Sequence, residues 1–72
     1  MKIAYYLETD SMYIDLSEKG SVESKEISPG VVLDYDSDGN IAGIDIDNAS
    51  RKLDLHELTL SKIPVSKHTI AA

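Results

Sequence analysis

Cysteine is missing from this 72-residue chain, so neither a disulfide nor a thiolate metal site can support it. Also missing is any apolar run near the roughly 20 residues that span a bilayer, and the opening MKIAYYLETD has no apolar signal segment. The expectation is a cytoplasmic protein with no membrane partner. Bases are scarce, 7 against 13 acids, for a net charge of −6. Residues 1–48 hold 11 of those acids and 3 of the bases, so the first two-thirds carries a balance of 3 − 11 = −8. Phosphate backbones are gripped by Lys and Arg, which argues against direct nucleic-acid binding. Such an acidic surface serves solubility or a basic partner.

Shortness is a further limit. A domain of roughly 60 residues buries only about 60% of its unfolded surface, so the core is thin and support comes from packing or from a partner chain. The sequence reads as a single domain over 1–72. It has no glycine-rich phosphate loop and no zinc spacing. Its histidines are His56 and His68, with no cysteine to pair with either. Carboxylates are plentiful, but a general acid needs a desolvated site to raise its pKa, and these read as exposed. The expectation is a protein that is not an enzyme and carries no cofactor.

Apolar alternation defines the first two strands. Ile3, Tyr5 and Leu7 alternate with polar or smaller neighbours, as do Met12, Ile14 and Leu16. A turn at Thr9-Asp10 sets Leu7 against Met12, Tyr5 against Ile14 and Ile3 against Leu16, with all six on one face. A polar third strand over Val22–Ile27 suits an exposed edge.

The stretch DYDSDGNIAGID, Asp34 to Asp45, spells D-x-D-x-D-G followed by a closing Asp, close to an EF-hand calcium loop. A hairpin turn at Asp38-Gly39 accounts for the same residues. It sets Tyr35 against Ala42, Leu33 against Ile44 and Val31 against Ile46. Val32, Asp34, Asp36, Ile41, Gly43 and Asp45 then fall on the other face. An EF-hand needs an entering helix and a bidentate Glu at the close, whereas here Pro29-Gly30 precedes β-rich sequence and the closing residue is Asp45. The hairpin turn is the preferred reading; the alternative is a weak divalent-cation site formed by Asp34, Asp36, Asp38 and Asp45.

The last third reads as helical over 48–63. Asp47 or Asn48 caps a short turn through ASRKL, and Asp54 with Glu57 makes a variant capping box. The competing reading makes Leu53, Leu55, Leu58 and Leu60 parts of a strand. Pro64 ends the segment, and 64–72 forms a frayed tail, an added edge strand or an exchanged segment. The formal glycosylation triplet Asn48-Ala49-Ser50 has no secretion signal to give it context. The fold class is therefore α+β: a small antiparallel β-meander of four to five strands over 1–47, with a short C-terminal helical segment packed on one face.

DSMYI, the run PGVVLDYDSDGNIAGIDI and the following NAS resemble the pattern of small prokaryotic proteins known as the domain of unknown function 2283 family. The resemblance spans roughly residues 3–53. Asp45 stands where the family more often has Glu, which weakens a calcium reading. The resemblance brings no activity; it implies an acidic antitoxin-like subunit that binds a small, toxin-like protein.

A binding role draws physical support from the outward faces of the hairpins. The first pairs Tyr6 with Tyr13; the second contributes Val32 and Ile41, and Asp15, Asp34, Asp36 and Asp45 form an acidic rim. The same tyrosines also serve as cross-strand sheet stabilisers. The leading expectation is a protein-interaction module with a small basic protein partner. The alternatives are the cation binder and a self-associating homodimer, since a one-layer sheet needs a cover.

Overall fold

A computed structural model describes residues 1–64. The chain forms β1 (Lys2–Tyr6), β2 (Ser11–Asp15), β3 (Glu23–Ser28), β4 (Val31–Tyr35), β5 (Ile41–Ile46) and a four-residue helix α1 (Ala49–Lys52). The architecture is mostly β, so the α+β label fits only roughly.

All five strands form one antiparallel sheet in the order β1-β2-β5-β4-β3. A simple meander would put β3 beside β2. Instead β5 joins the two hairpins, and the loop after β2 runs past the β4–β5 turn, where Lys19 pairs with Asp38, to start β3 at the far edge. Strands β2 to β5 thus have a Greek-key order with the long connection first. Packing explains the choice. Beside β2, β5 extends two apolar rows, Ile3–Ile14–Ile44–Leu33 and Tyr5–Met12–Ile46–Val31. In the same place β3 would put Lys25 and Glu26 in mid-sheet; at the edge every one of its residues is exposed.

Both hairpin registers differ in detail from the sequence reading. The first is shifted by two residues: Tyr5 faces Met12 and Ile3 faces Ile14, with a four-residue connection over 7–10. A two-residue slip preserves which face each side chain occupies. Tyr6 therefore lies opposite Ser11, and Tyr13 opposite Ala4, rather than opposite each other.

In the second hairpin, Val31 faces Ile46 and Leu33 faces Ile44 as expected, but Tyr35 faces Ile41 and Ala42 is bulged out of register. The turn spans Asp36–Gly39, closed by Gly39 N–H donating to the Asp36 carbonyl at 3.1 Å. Gly39 has φ 81°, and neither Ser37 nor Asp38 has positive φ, which excludes a type I′ turn centred on them. At the β3–β4 turn, Pro29 supplies its fixed φ and Gly30 the left-handed φ of 74°.

The predicted helical segment is much shorter than 48–63. Only Ala49–Lys52 is helical, and residues 53–64 are irregular with a turn at Leu55-His56. Asp54 does not cap a helix: its Oδ1 accepts the His56 N–H at 3.0 Å, a local turn that competes with helix formation. A helix this short cannot recover its nucleation cost alone. The tail readings for 65–72, including His68, lie outside the described residues.

The core is thin. Among the described residues Ala42, Ile46 and Ala49 are the buried hydrophobic side chains, and no large side chain there is fully buried.

Candidate functional site

Sheet geometry produces two unlike faces. On the polar face the rows read Lys2–Asp15–Gly43–Asp34–Ser24 and Ala4–Tyr13–Asp45–Val32–Glu26. Strand alternation thus brings Tyr13, Asp15, Val32, Asp34 and Asp45 together, as the sequence reading expected. Their roles differ from those of a simple exposed patch.

Tyr13 does not stand out from the sheet. Its ring lies across Gly43, and Tyr13 Oη donates to Asp34 Oδ2 at 2.9 Å; Ser24 Oγ donates to Asp34 Oδ1 at 2.6 Å. A Cβ on Gly43 would overlap the phenol oxygen and sit 2.6 Å from Tyr13 Cζ, closer than non-bonded atoms can approach. The glycine is therefore the floor on which the phenol rests, the close approach that a strand glycine commonly marks. One Asp–Tyr–Gly–Ser constellation stitches β2, β5, β4 and β3 across the middle of the sheet. The Asp34 carboxylate, with partial burial second and nearby Asp15 and Asp45 adding, pushes the Tyr13 phenol up to about 12. Partial desolvation first, then Asp47 and Asp34, hold the Asp45 carboxyl above its usual value.

The remaining polar-face candidates scatter. Tyr6 is exposed at the end of β1, whereas Ile41 is not on the polar face as expected: the bulge at Ala42 reverses its parity and sets it, exposed, opposite Tyr35. Asp36 is buried, and its Oδ1 accepts the Asp38 N–H at 2.8 Å and the Asn40 N–H at 3.0 Å. It organises the turn and forms no part of an exposed rim. Asp38 extends away to an exposed ion pair with Lys19. The three carboxylates of the D-x-D-x-D run are thus divided among three tasks, and Asp45 shares none of them. Among the described residues no group of three or more His, Asp or Glu side chains is placed to hold a metal ion.

A second constellation lies at the opposite end of the sheet from that turn. Asp10, left-handed at φ 52°, receives the Ala49 N–H on its carbonyl at 2.8 Å, and its carboxylate accepts Ser50 N–H at 3.0 Å, Ser50 Oγ at 2.7 Å and Tyr5 Oη at 2.8 Å. Asn48 precedes the helix but makes no side-chain cap, so Asp10 caps α1 from the β1–β2 turn 40 residues away. The Ser50 hydroxyl foremost, and then the Tyr5 phenol, hold the Asp10 carboxyl below its usual value; the same bond raises the Tyr5 phenol. Sequence reasoning missed this lock because nothing local to Asp10 signals a distant helix. Gly43 did carry a signal, as a lone glycine inside a strand pattern.

The other face is apolar and, among the described residues, incompletely covered. After α1 the chain turns back along β1 and β2, leaving a groove of about 660 Å³ lined by Ile3, Tyr5, Met12, Ile14, Leu53 and Leu58, with Leu55 half-buried in its wall. Ile3 is 42% exposed, Tyr5 39% and Leu58 68%. Asp54, His56 and Glu57 complete the lining, so besides Tyr5 the ionisable residues there are two acids and one histidine. No helix among the described residues is long and apolar enough to cross a membrane.

No curated protein and no solved structure shows a significant match to the chain. The profile of one family, described as protein of unknown function (DUF2283), matches residues 2–50. That span contains all five strands, the Tyr13–Gly43–Asp34 stack and the Asp10–Ser50 lock. The chain belongs to the DUF2283 family.

Proposed function

We propose that this domain is a non-catalytic protein-binding module that receives an apolar, basic-flanked segment of a partner protein in the groove over β1 and β2. The observation that carries the reading is the incomplete cover of the apolar face: Ile3, Tyr5 and Leu58 stand exposed around one groove, with Asp54 and Glu57 among its lining residues. Its volume is within the roughly 300–1,000 Å³ of ordinary ligand pockets, and its open, apolar wall suits an amphipathic helix. A chain of net charge −6 attracts a basic partner from a distance, and the acidic residues favour basic flanks on contact. The family resemblance implies a small toxin-like partner, and the charge of this chain is what favours a basic one. The polar face is a weaker candidate, because Tyr13 is engaged by Asp34 and Asp36 by its own turn.

A synthetic amphipathic leucine–lysine peptide, titrated by fluorescence anisotropy, tests the groove. Saturable binding that weakens with salt and is lost in Leu58→Glu is the expected result. No saturable binding, or binding that survives Leu58→Glu and is lost in Asp45→Lys, overturns the groove reading.

A further inference from the structure

Among the described residues, β1 and β3 form the two edges of the sheet, and their sequences treat self-pairing oppositely. Consider two copies joined edge to edge by a two-fold axis perpendicular to the sheet. Faces are preserved, the paired strands run antiparallel, and the axis passes through one residue, which meets its own copy.

For β3 the two registers of greatest overlap place the axis at Lys25 or at Glu26. The first opposes Lys25 to Lys25 and the second Glu26 to Glu26, and directly opposed like charges are destabilising. Lys25 also faces Leu33 on the apolar side, an inward-pointing charge of the kind that guards an edge.

β1 has no such guard. Its full-overlap register centres on Ala4 and pairs Ile3 with Tyr5 of the second copy on the apolar face and Lys2 with Tyr6 on the polar face. An aliphatic–aromatic pair and a cation beside an aromatic ring are both favourable, and nothing of like charge is opposed. These are also residues that the single chain leaves partly uncovered: Ile3 is 42% exposed, Tyr5 39% and Tyr6 55%.

We propose that β1 is a self-association edge, joining two copies of this chain into one continuous ten-stranded sheet through a β1–β1 pair centred on Ala4. The seam brings the two apolar grooves side by side, since Ile3 and Tyr5 line both. It keeps the acidic rows of the two copies apart, because Asp45 lies two strands in from β1 and Asp34 three. The inference stands independently of what the groove binds.

Light scattering on the full chain across a wide concentration range gives the primary test. The expected mass at high concentration is twice 7.9 kDa. Ala4→Lys places two lysines on the axis and is expected to give the single mass with an unchanged circular dichroism spectrum. Mixing it with Ala4→Glu is expected to restore the double mass, because the axis then carries opposite charges. Should Ala4→Lys fail to fold, Tyr6→Lys, which opposes Lys2 at an exposed position, replaces it. A single mass for the native chain at every concentration, a double mass that survives the lysine variant, or no recovery on charge-swap mixing each overturns the proposal.

Discussion

The contact of Tyr13 with Gly43 makes a sharp prediction, because the sign of one substitution should reverse with its neighbour. In Gly43→Ala the new methyl overlaps the phenol oxygen and lies 2.6 Å from Cζ, so the ring must lift and Oη must leave Asp34. A hydrogen bond to a charged acceptor contributes about 1.5–3 kcal/mol. Alanine in place of glycine within a strand returns about 0.5–1 kcal/mol of backbone entropy. The net expectation is a loss of about 1–2 kcal/mol, which for a domain of this size lowers the melting temperature by about 5–15 °C. In a Tyr13→Ala background the phenol is gone, and Gly43→Ala should be neutral or stabilising by about 0.5–1 kcal/mol. Urea denaturation of the four proteins in the double-mutant cycle gives a coupling of about 1.5–3 kcal/mol if the stack is as described. Equal costs of Gly43→Ala in both backgrounds would refute it.

Three further predictions rest on the polar contacts. The Tyr13 phenol titrates at about 12; because its folded pKa lies above the unfolded value, its contribution to stability is full below pH 10 and is lost as pH rises through the folded pKa. Tyrosinate absorbance should show one late-titrating group that moves towards the ordinary value in Asp34→Asn. Asp10 has the opposite sign: its depressed pKa gives stability that is present above the ordinary carboxylate range and lost as pH falls through the lower folded value. Acid unfolding followed by circular dichroism should therefore become shallower at low pH in Asp10→Asn, and Ser50→Ala should reduce the same component. Asp36→Ala leaves two turn N–H groups without their carboxylate and is expected to cost about 1–2 kcal/mol in thermal melts, whereas Asp38→Ala, which removes only an exposed ion pair, should cost under about 0.5 kcal/mol.

Much of the sheet was legible in the residues. Period-two alternation located β1, β2, β4 and β5, and it assigned Ile3, Tyr5, Met12, Ile14, Leu33, Ile44 and Ile46 to one face and Tyr13, Asp34 and Asp45 to the other. Face assignment survived the register change in the first hairpin, because a two-residue slip keeps parity, but not at Ile41, where the one-residue bulge at Ala42 puts it opposite Tyr35. The polar composition of β3 indicated an edge, and β3 lies at one. Less was legible at turns and termini. Asp36 reads as one more acid of the D-x-D-x-D run, yet its burial follows from a turn one residue earlier than Asp38-Gly39 suggests. The capping-box pattern at Asp54 and Glu57 was a weak local preference; in the folded chain the Asp54 side chain closes an Asx turn, and Leu55 lies half-buried beside β1 and β2.

By itself, then, the sequence determined a small acidic antiparallel sheet with one apolar and one carboxylate-rich face, because side-chain alternation is a property of each strand alone. Tertiary structure alone decided that β5 lies between β2 and β4, that Tyr13 reaches over Gly43 to Asp34, and that Asp10 caps a helix 40 residues away. Those outcomes depend on which strands become neighbours. Strand order is set by the burial of whole apolar rows, a quantity that no single segment contains.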